Sequence, residues 1–130
     1  AAWRSLDAWV RNGVPAPRAV PMELKAGLKT FVPDRAFVLD AHGNAKGGVR
    51  SVAVDVPTAR WVGAKSGGFR CMFYGYPFKF GAEELKKLYP THAAYVQKVR
   101  ARADQLVKER WLTSTDRDEI LREAERAGIP

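Results

Sequence analysis

A single cysteine, Cys71, in 130 residues excludes an internal disulfide framework and any multi-cysteine zinc site. It says little about compartment. Long apolar runs are missing too: nothing approaches the roughly eighteen residues that a bilayer crossing needs. The first residues, AAWRSLDAWVRNG, pattern as an amphipathic helix rather than a signal peptide. There is no internal repeat and no low-complexity tract. Neither the turn Gly43-Asn44-Ala45-Lys46-Gly47-Gly48 nor Gly67-Gly68 matches a Walker loop or a dinucleotide fingerprint. The strand-to-helix nucleophile elbow Gly-x-Ser-x-Gly is absent as well. Ser5 falls in the first helical pattern, Ser51 in a predicted strand, Ser66 in a glycine turn and Ser114 at a predicted helix start. None of these is an elbow context.

What is present is an ordinary globular composition, 46% apolar and 28% charged, long enough for one domain with its own core. The net charge of +8 would favour anionic partners if it were gathered on one surface. The basic residues are instead scattered among acids, as in Glu83-Glu84-Leu85-Lys86-Lys87 and Lys108-Glu109-Arg110. A solvated basic surface is therefore the preferred reading over a nucleic-acid patch.

The predicted fold class is α+β: an N-terminal helix, a Pro-rich connector, a small antiparallel β-hairpin and C-terminal helices. Trp3, Leu6 and Val10 are spaced three and four apart with Gly13 just after them, which predicts a short helix with one apolar stripe to dock. Pro15, Pro17, Pro21 and Pro33 then forbid a long regular element over residues 14–33. Ala36-Phe37-Val38-Leu39-Asp40 reads as a strand. Across the glycine-rich turn, Val52, Val54 and Val56 alternate with Ser51, Ala53 and Asp55, so residues 49–56 read as a second strand of a hairpin. A short extended piece follows at Ala59-Arg60-Trp61-Val62-Gly63. The aromatic segment at 69–80 is expected to pack on a neighbouring surface or line a pocket. A short helix over 82–89 ends at Pro90, and Thr91 caps a longer one with Tyr95, Val99, Ala103, Leu106 and Arg110 on its stripe. Thr115 and Asp118 offer a capping arrangement for a last helix that stops at Gly128. Segments 1–33, 34–80 and 81–130 are read as one structural unit.

Serine acyl transfer needs a nucleophile, a histidine base and an acid to orient that base. His42 beside Asp40 is the one arrangement that could serve as base and orienter, and a solvated turn histidine is the preferred alternative. His92, in the first turn of a helix, is weaker still. Asp40, Asn44 and Asp55 offer oxygen ligands, so calcium is conceivable, although Asp and Asn serve turn backbones more often than ions. Arg50 is placed to pair with Asp40 or Asp55, and Cys71 reads as a small buried residue. No catalytic, cofactor-binding or metal-binding residue is assigned, and no cofactor is expected.

The order of segments carries a further signal. Leu6-Asp7-Ala8-Trp9-Val10-Arg11-Asn12-Gly13-Val14-Pro15-Ala16-Pro17, then Asp40 to Arg50 through the glycine turn, then Val54-Asp55-Val56-Pro57 and Gly75-Tyr76-Pro77-Phe78, occur in the order seen in a known family. Leu88-Tyr89, Tyr95-Val96 and the 112–116 junction continue it. Together they resemble the C-terminal region of the α/β-hydrolase domain family. The first helix is also similar to the one that follows the catalytic histidine in tannase- and feruloyl-esterase-like enzymes. The resemblance implies serine-dependent ester hydrolysis with the triad upstream of Ala1, so this chain would be the non-catalytic portion that completes the fold and rims the pocket. Its implied partners are the N-terminal part of the same hydrolase and an ester substrate, with no membrane and with nucleic acid disfavoured. A secreted or periplasmic setting fits that reading. The rival is a self-contained basic module that grips nucleic acid or another anionic surface through lysines, arginines and the aromatics of 69–80.

Overall fold

The computed structural model describes residues 1–26, 36–63 and 75–130; the expectations placed on Pro33, Ser66, Gly67, Gly68, Phe69, Cys71, Phe73 and Tyr74 lie outside the described residues. The elements in chain order are α1 (Ala2–Asn12), α2 (Val52–Asp55), β1 (Ala59–Val62), β2 (Tyr76–Lys79), α3 (Ala82–Leu88), α4 (His92–Lys108) and α5 (Ser114–Arg126). This mixture of helices with one small antiparallel sheet is α+β. The chain divides into two compact units, residues 1–19 with 82–130, and residues 20–81.

The first unit is helical. Thr91 caps α4 as its position before the periodic stretch predicts, its hydroxyl accepting the Ala94 N–H at 3.1 Å. Val99, Ala103 and Leu106, spaced four and three apart, form the buried stripe of α4, and Leu121 and Ala124 supply the facing stripe of α5. Burial of each large aliphatic side chain here is worth about 1.5–3 kcal/mol. The two helices run antiparallel, because Arg117 meets Asp104 at 2.8 Å while Arg100 meets Glu125 at 3.3 Å. Tyr89 closes one end. It is almost fully buried, edge-on to Tyr95 with ring centres 5.0 Å apart, and the Lys98 ammonium lies 5.1 Å from its centroid. Burial, with Tyr95 beside it, pushes the Tyr89 hydroxyl up to about 12.

Three expectations for this unit are corrected. Arg110 is not on the α4 stripe: the helix ends at Lys108, and Arg110 turns left-handed at φ 65. The Arg110 N–H donates to Val107 O at 3.0 Å and the Trp111 N–H to Leu106 O at 2.9 Å, a Schellman closure in which arginine stands where glycine is usual. The capping box of α5 is Thr113 with Asp116, not Thr115 with Asp118. Nothing in Thr113-Ser114-Thr115 breaks a helix, so starting two residues earlier gains backbone hydrogen bonds at no steric cost. At its far end α5 stops at Arg126, two residues before Gly128.

Helix α1 ends on Gly13 as expected, at φ 67, with the Gly13 N–H donating to Trp9 O at 3.0 Å. Its apolar stripe, however, faces solvent. Trp3 is 83% exposed, Val10 77%, Trp9 57% and Leu6 44%, whereas Ser5 is the buried residue of the helix. The small-residue face is the one turned inward: Ser5 and Ala8 line a depression shared with Val107 and Leu112.

The second unit combines extended chain with a helical turn, and the segment expected to be a strand at 36–40 makes isolated bridges rather than a regular strand. Residues 36–39 run between the connector and the glycine-rich turn, through the bridges Leu24 to Phe37 and Leu39 to Ala45 and the bonds Val38 N–H to Glu23 O and Lys46 N–H to Val38 O, both 2.9 Å. The predicted second strand at 49–56 is corrected to a helical turn, α2. Val52 and Val56 lie four residues apart, so one helical turn buries both on one face, just as alternation in a strand would. Ser51, placed in that strand, precedes the turn as its N-cap residue. The two-stranded sheet is instead β1 with β2, antiparallel in the register Ala59 to Lys79, Arg60 to Phe78, Trp61 to Pro77 and Val62 to Tyr76. Pro77 is tolerated because each strand of a two-stranded sheet is an edge.

Candidate functional site

The second unit holds a dense polar network built from the Asp40–Asn44 turn. Asp40 Oδ1 accepts the backbone N–H groups of His42 and Asn44, each at 2.9 Å, and the Asp40 N–H donates to Asn44 O at 2.7 Å. This is the local self-bonding for which Asp is favoured in turns. Arg50 donates through Nη2 to Asp40 Oδ2 at 2.6 Å, through Nε to Asp55 and through Nη1 to Ala45 O. It thus pairs with both of the carboxylates suggested for it. Burial opposes ionisation of Asp40, but the bonds from Arg50, Asn44 and His42 together outweigh it and hold the carboxyl below its ordinary value. Arg50 is held above its ordinary value, burial again being outweighed by Asp55 and then Asp40.

Asn44 is 1% exposed, and its amide spans to the sheet. Oδ1 accepts the Trp61 N–H at 2.8 Å, and Nδ2 donates to Ala59 O at 3.4 Å. The Trp61 indole N–H then donates to Ala53 O of α2 at 3.2 Å. Turn, helical turn and strand are thereby locked together around a concave surface of about 470 Å³, lined among others by Met22, Phe37, Leu39, Val62, Tyr76 and Phe78. This cavity, with its apolar walls and a few polar groups, is a candidate site for a ligand. Of the described aromatics in the segment expected to pack on a surface or line a pocket, Tyr76 and Phe78, with ring centres 4.8 Å apart, line this cavity, whereas Phe80 is not among its lining residues.

These contacts decide the chemistry of the residues weighed from sequence. Asp40 takes the backbone N–H of His42, not its ring, and its other oxygen is held by Arg50, so the pair is not a base with its orienter. The His42 ring stands 6.3 Å from that of Phe80. His92 lies in the helical unit, where its two ring nitrogens face Ile129 O at 2.9 Å and Glu125 O at 3.2 Å, fastening the end of α5. The oxygens that made calcium conceivable are committed elsewhere, Asp40 and Asp55 to Arg50 and Asn44 to Trp61. Among the described residues no three His, Cys, Asp or Glu side chains converge on a common point, and no helix is long and apolar enough to cross a membrane. Sequence reasoning missed two residues of this site: the bridging role of Asn44, and Arg60, whose guanidinium carbon lies 4.8 Å from the centre of the Phe78 ring. No local pattern marks either.

The lowered pKa of Asp40 has a measurable consequence. A carboxyl lowered in the folded state stabilises it above the unfolded value, and that contribution disappears as pH falls through the folded value. Protection of the Asn44 amide from hydrogen exchange is therefore expected to fall away below about pH 4. Asp40→Asn should weaken this acid dependence while keeping an acceptor for the turn. An unchanged acid profile in that variant would mean that Asp40 is not its source.

Searches of curated proteins and of solved structures returned no match. A family model described as alpha/beta hydrolase domain matches residues 1–122, nearly the whole chain and in keeping with the order of segments read from the sequence. The chain therefore belongs to the α/β hydrolase domain family.

Proposed function

We propose that this chain is the C-terminal, non-catalytic portion of an esterase-like serine carboxylic-ester hydrolase, serving to complete the fold and to form part of the pocket rim. One observation carries the reading: α1 turns its apolar stripe, Trp3, Leu6, Trp9 and Val10, into solvent while burying Ser5. An amphipathic helix that exposes two tryptophans along its apolar stripe is a helix short of a partner surface. The missing triad points the same way, since no serine among the described residues is hydrogen-bonded to a histidine and no elbow exists in the sequence. The partner surface would belong to the part of the hydrolase that carries the nucleophile. The three segments 1–33, 34–80 and 81–130 would then act together on that surface, and the finer likeness to tannase- and feruloyl-esterase-like enzymes belongs to the same proposal.

A serine-directed fluorophosphonate tests the non-catalytic part. The 130-residue chain should show no covalent mass increase and no turnover of p-nitrophenyl esters. Stoichiometric labelling of Ser5, Ser51, Ser66 or Ser114 would place a reactive nucleophile in this chain and overturn the reading.

A further inference from the structure

The geometry points to a binding site for a small organic anion with a flat apolar body, such as an aromatic carboxylate, in the cavity of the 20–81 unit, with Arg60 as the residue that selects the charge. Arg60 and Phe78 are direct cross-strand partners, which places both side chains on one face of the sheet, together with Val62 and Tyr76. That face lines the cavity. The two arginines at the cavity differ. Arg50 is neutralised by Asp40 and Asp55, whereas the Arg60 guanidinium has no carboxylate partner among the described residues and stacks on Phe78.

Arg60 is also held in place before any ligand arrives. Its stem lies on Gly43, where an added Cβ would come within 2.5 Å of Cδ and 3.0 Å of Cγ, and its head rests against the Phe78 ring. A cation fixed on two sides loses little rotamer freedom on binding, which is the main cost of using a long side chain for recognition. Beside it, Met22, Phe37 and Leu39 supply apolar walls and Gly47 and Gly48 leave bare backbone. A neutral apolar ligand would use the walls and leave the cation unused. A compact inorganic anion would use the cation and leave the walls unused. A planar ring bearing one negative group uses both, stacking its ring against apolar side chains and setting its carboxylate on the planar guanidinium.

The test is a titration of the 130-residue chain with 2-naphthoate and with its uncharged analogue 2-naphthylmethanol, read by amide chemical shifts. The naphthoate should shift the amides of Gly43, Gly47, Gly48 and Arg60 saturably and bind about five-fold more tightly than the alcohol, the range of a solvent-accessible ion pair. Arg60→Gln should abolish that preference, while Arg60→Lys, which keeps the charge without the planar stack, should retain part of it. Equal affinity for the two probes, shifts that fall on α1 instead, or a preference that survives Arg60→Gln would each overturn the site. Because the readout is binding to this chain alone, its failure is distinct from failure of the hydrolase proposal, which turns on association and turnover.

Discussion

Replacing Asn44 with alanine is expected to destabilise the 20–81 unit by about 2–4 kcal/mol. The side chain is buried and has two backbone partners in β1, the Trp61 N–H and the Ala59 carbonyl. Alanine leaves both without that partner and opens a small void where the amide stood. An unsatisfied buried donor costs about 1–3 kcal/mol by itself, more than the hydrogen bond is worth net, because the group has lost water and gained nothing. The measurement is native-state hydrogen exchange at the Trp61 amide, which should accelerate on the order of 30- to 1,000-fold, following the usual conversion of about 1.4 kcal/mol per tenfold. Asn44→Asp separates the two bonds. It keeps an acceptor for Trp61 but sets a buried carboxylate against Ala59 O and close to Asp40, so it too should lose stability rather than rescue it.

Gly47→Ala should cost about 3 kcal/mol or more, the largest effect of any alanine substitution at a described glycine of the unit. Gly47 sits at φ 78, where an L side chain costs about 1–2 kcal/mol. An added Cβ would also stand 2.1 Å from Pro21 O and 2.8 Å from Met22 Cα. Both are backbone atoms, fixed by the neighbouring bonds Gly48 N–H to Val20 O at 2.7 Å and Glu23 N–H to Lys46 O at 3.1 Å, so relief requires prying the connector off the turn. Two other glycines calibrate the effect. Gly48, at φ 69, would place its new methyl group 3.2 Å from the movable Met22 Cγ and should cost less than Gly47. Gly63, with nothing within 4 Å and no positive φ, should be close to neutral. Thermal unfolding of the three alanine variants should rank them in that order. A Gly47→Ala protein as stable as the parent would mean the connector does not lie where the structure puts it.

The parts of the fold legible in the sequence are those fixed by local chemistry. Gly13 and Thr91 were readable as the end of α1 and the start of α4, since a left-handed stop and a hydroxyl cap each act within one turn of chain. The α4 stripe of Val99, Ala103 and Leu106 was readable from its period. What escaped were choices that two local patterns satisfy equally. Val52 and Val56 fit a strand and a helical turn alike, and the lock between Asn44 and Trp61 decides nothing that composition could show. Thr113 and Thr115 each stand three residues before an Asp, so the sequence offers two capping registers. Arg110 adopts a conformation that only glycine would have advertised.

The site was harder still, because its geometry joins residues far apart in sequence. The pairing of Arg50 with Asp40 and Asp55 was foreseeable from charge and proximity. Arg60 was not, because its significance comes from Phe78, its partner across the sheet, and from the bare face of Gly43 beneath its stem. The outward stripe of α1 shows the reverse case. Its pattern was plain in sequence and demanded a docking surface, and the structure leaves the stripe uncovered.

Under the proposed function that uncovered stripe sets the decisive experiment: ester hydrolysis on mixing this chain with a separately expressed segment of the proposed hydrolase that would carry a Gly-x-Ser-x-Gly motif. Saturable activity that neither part shows alone is expected, together with a weakening of at least roughly tenfold in association when Trp3 and Val10 are replaced by serine. Activity of the nucleophile-bearing part that is complete without this chain, or association untouched by the Trp3 and Val10 substitutions, would contradict a role for this chain in completing the hydrolase.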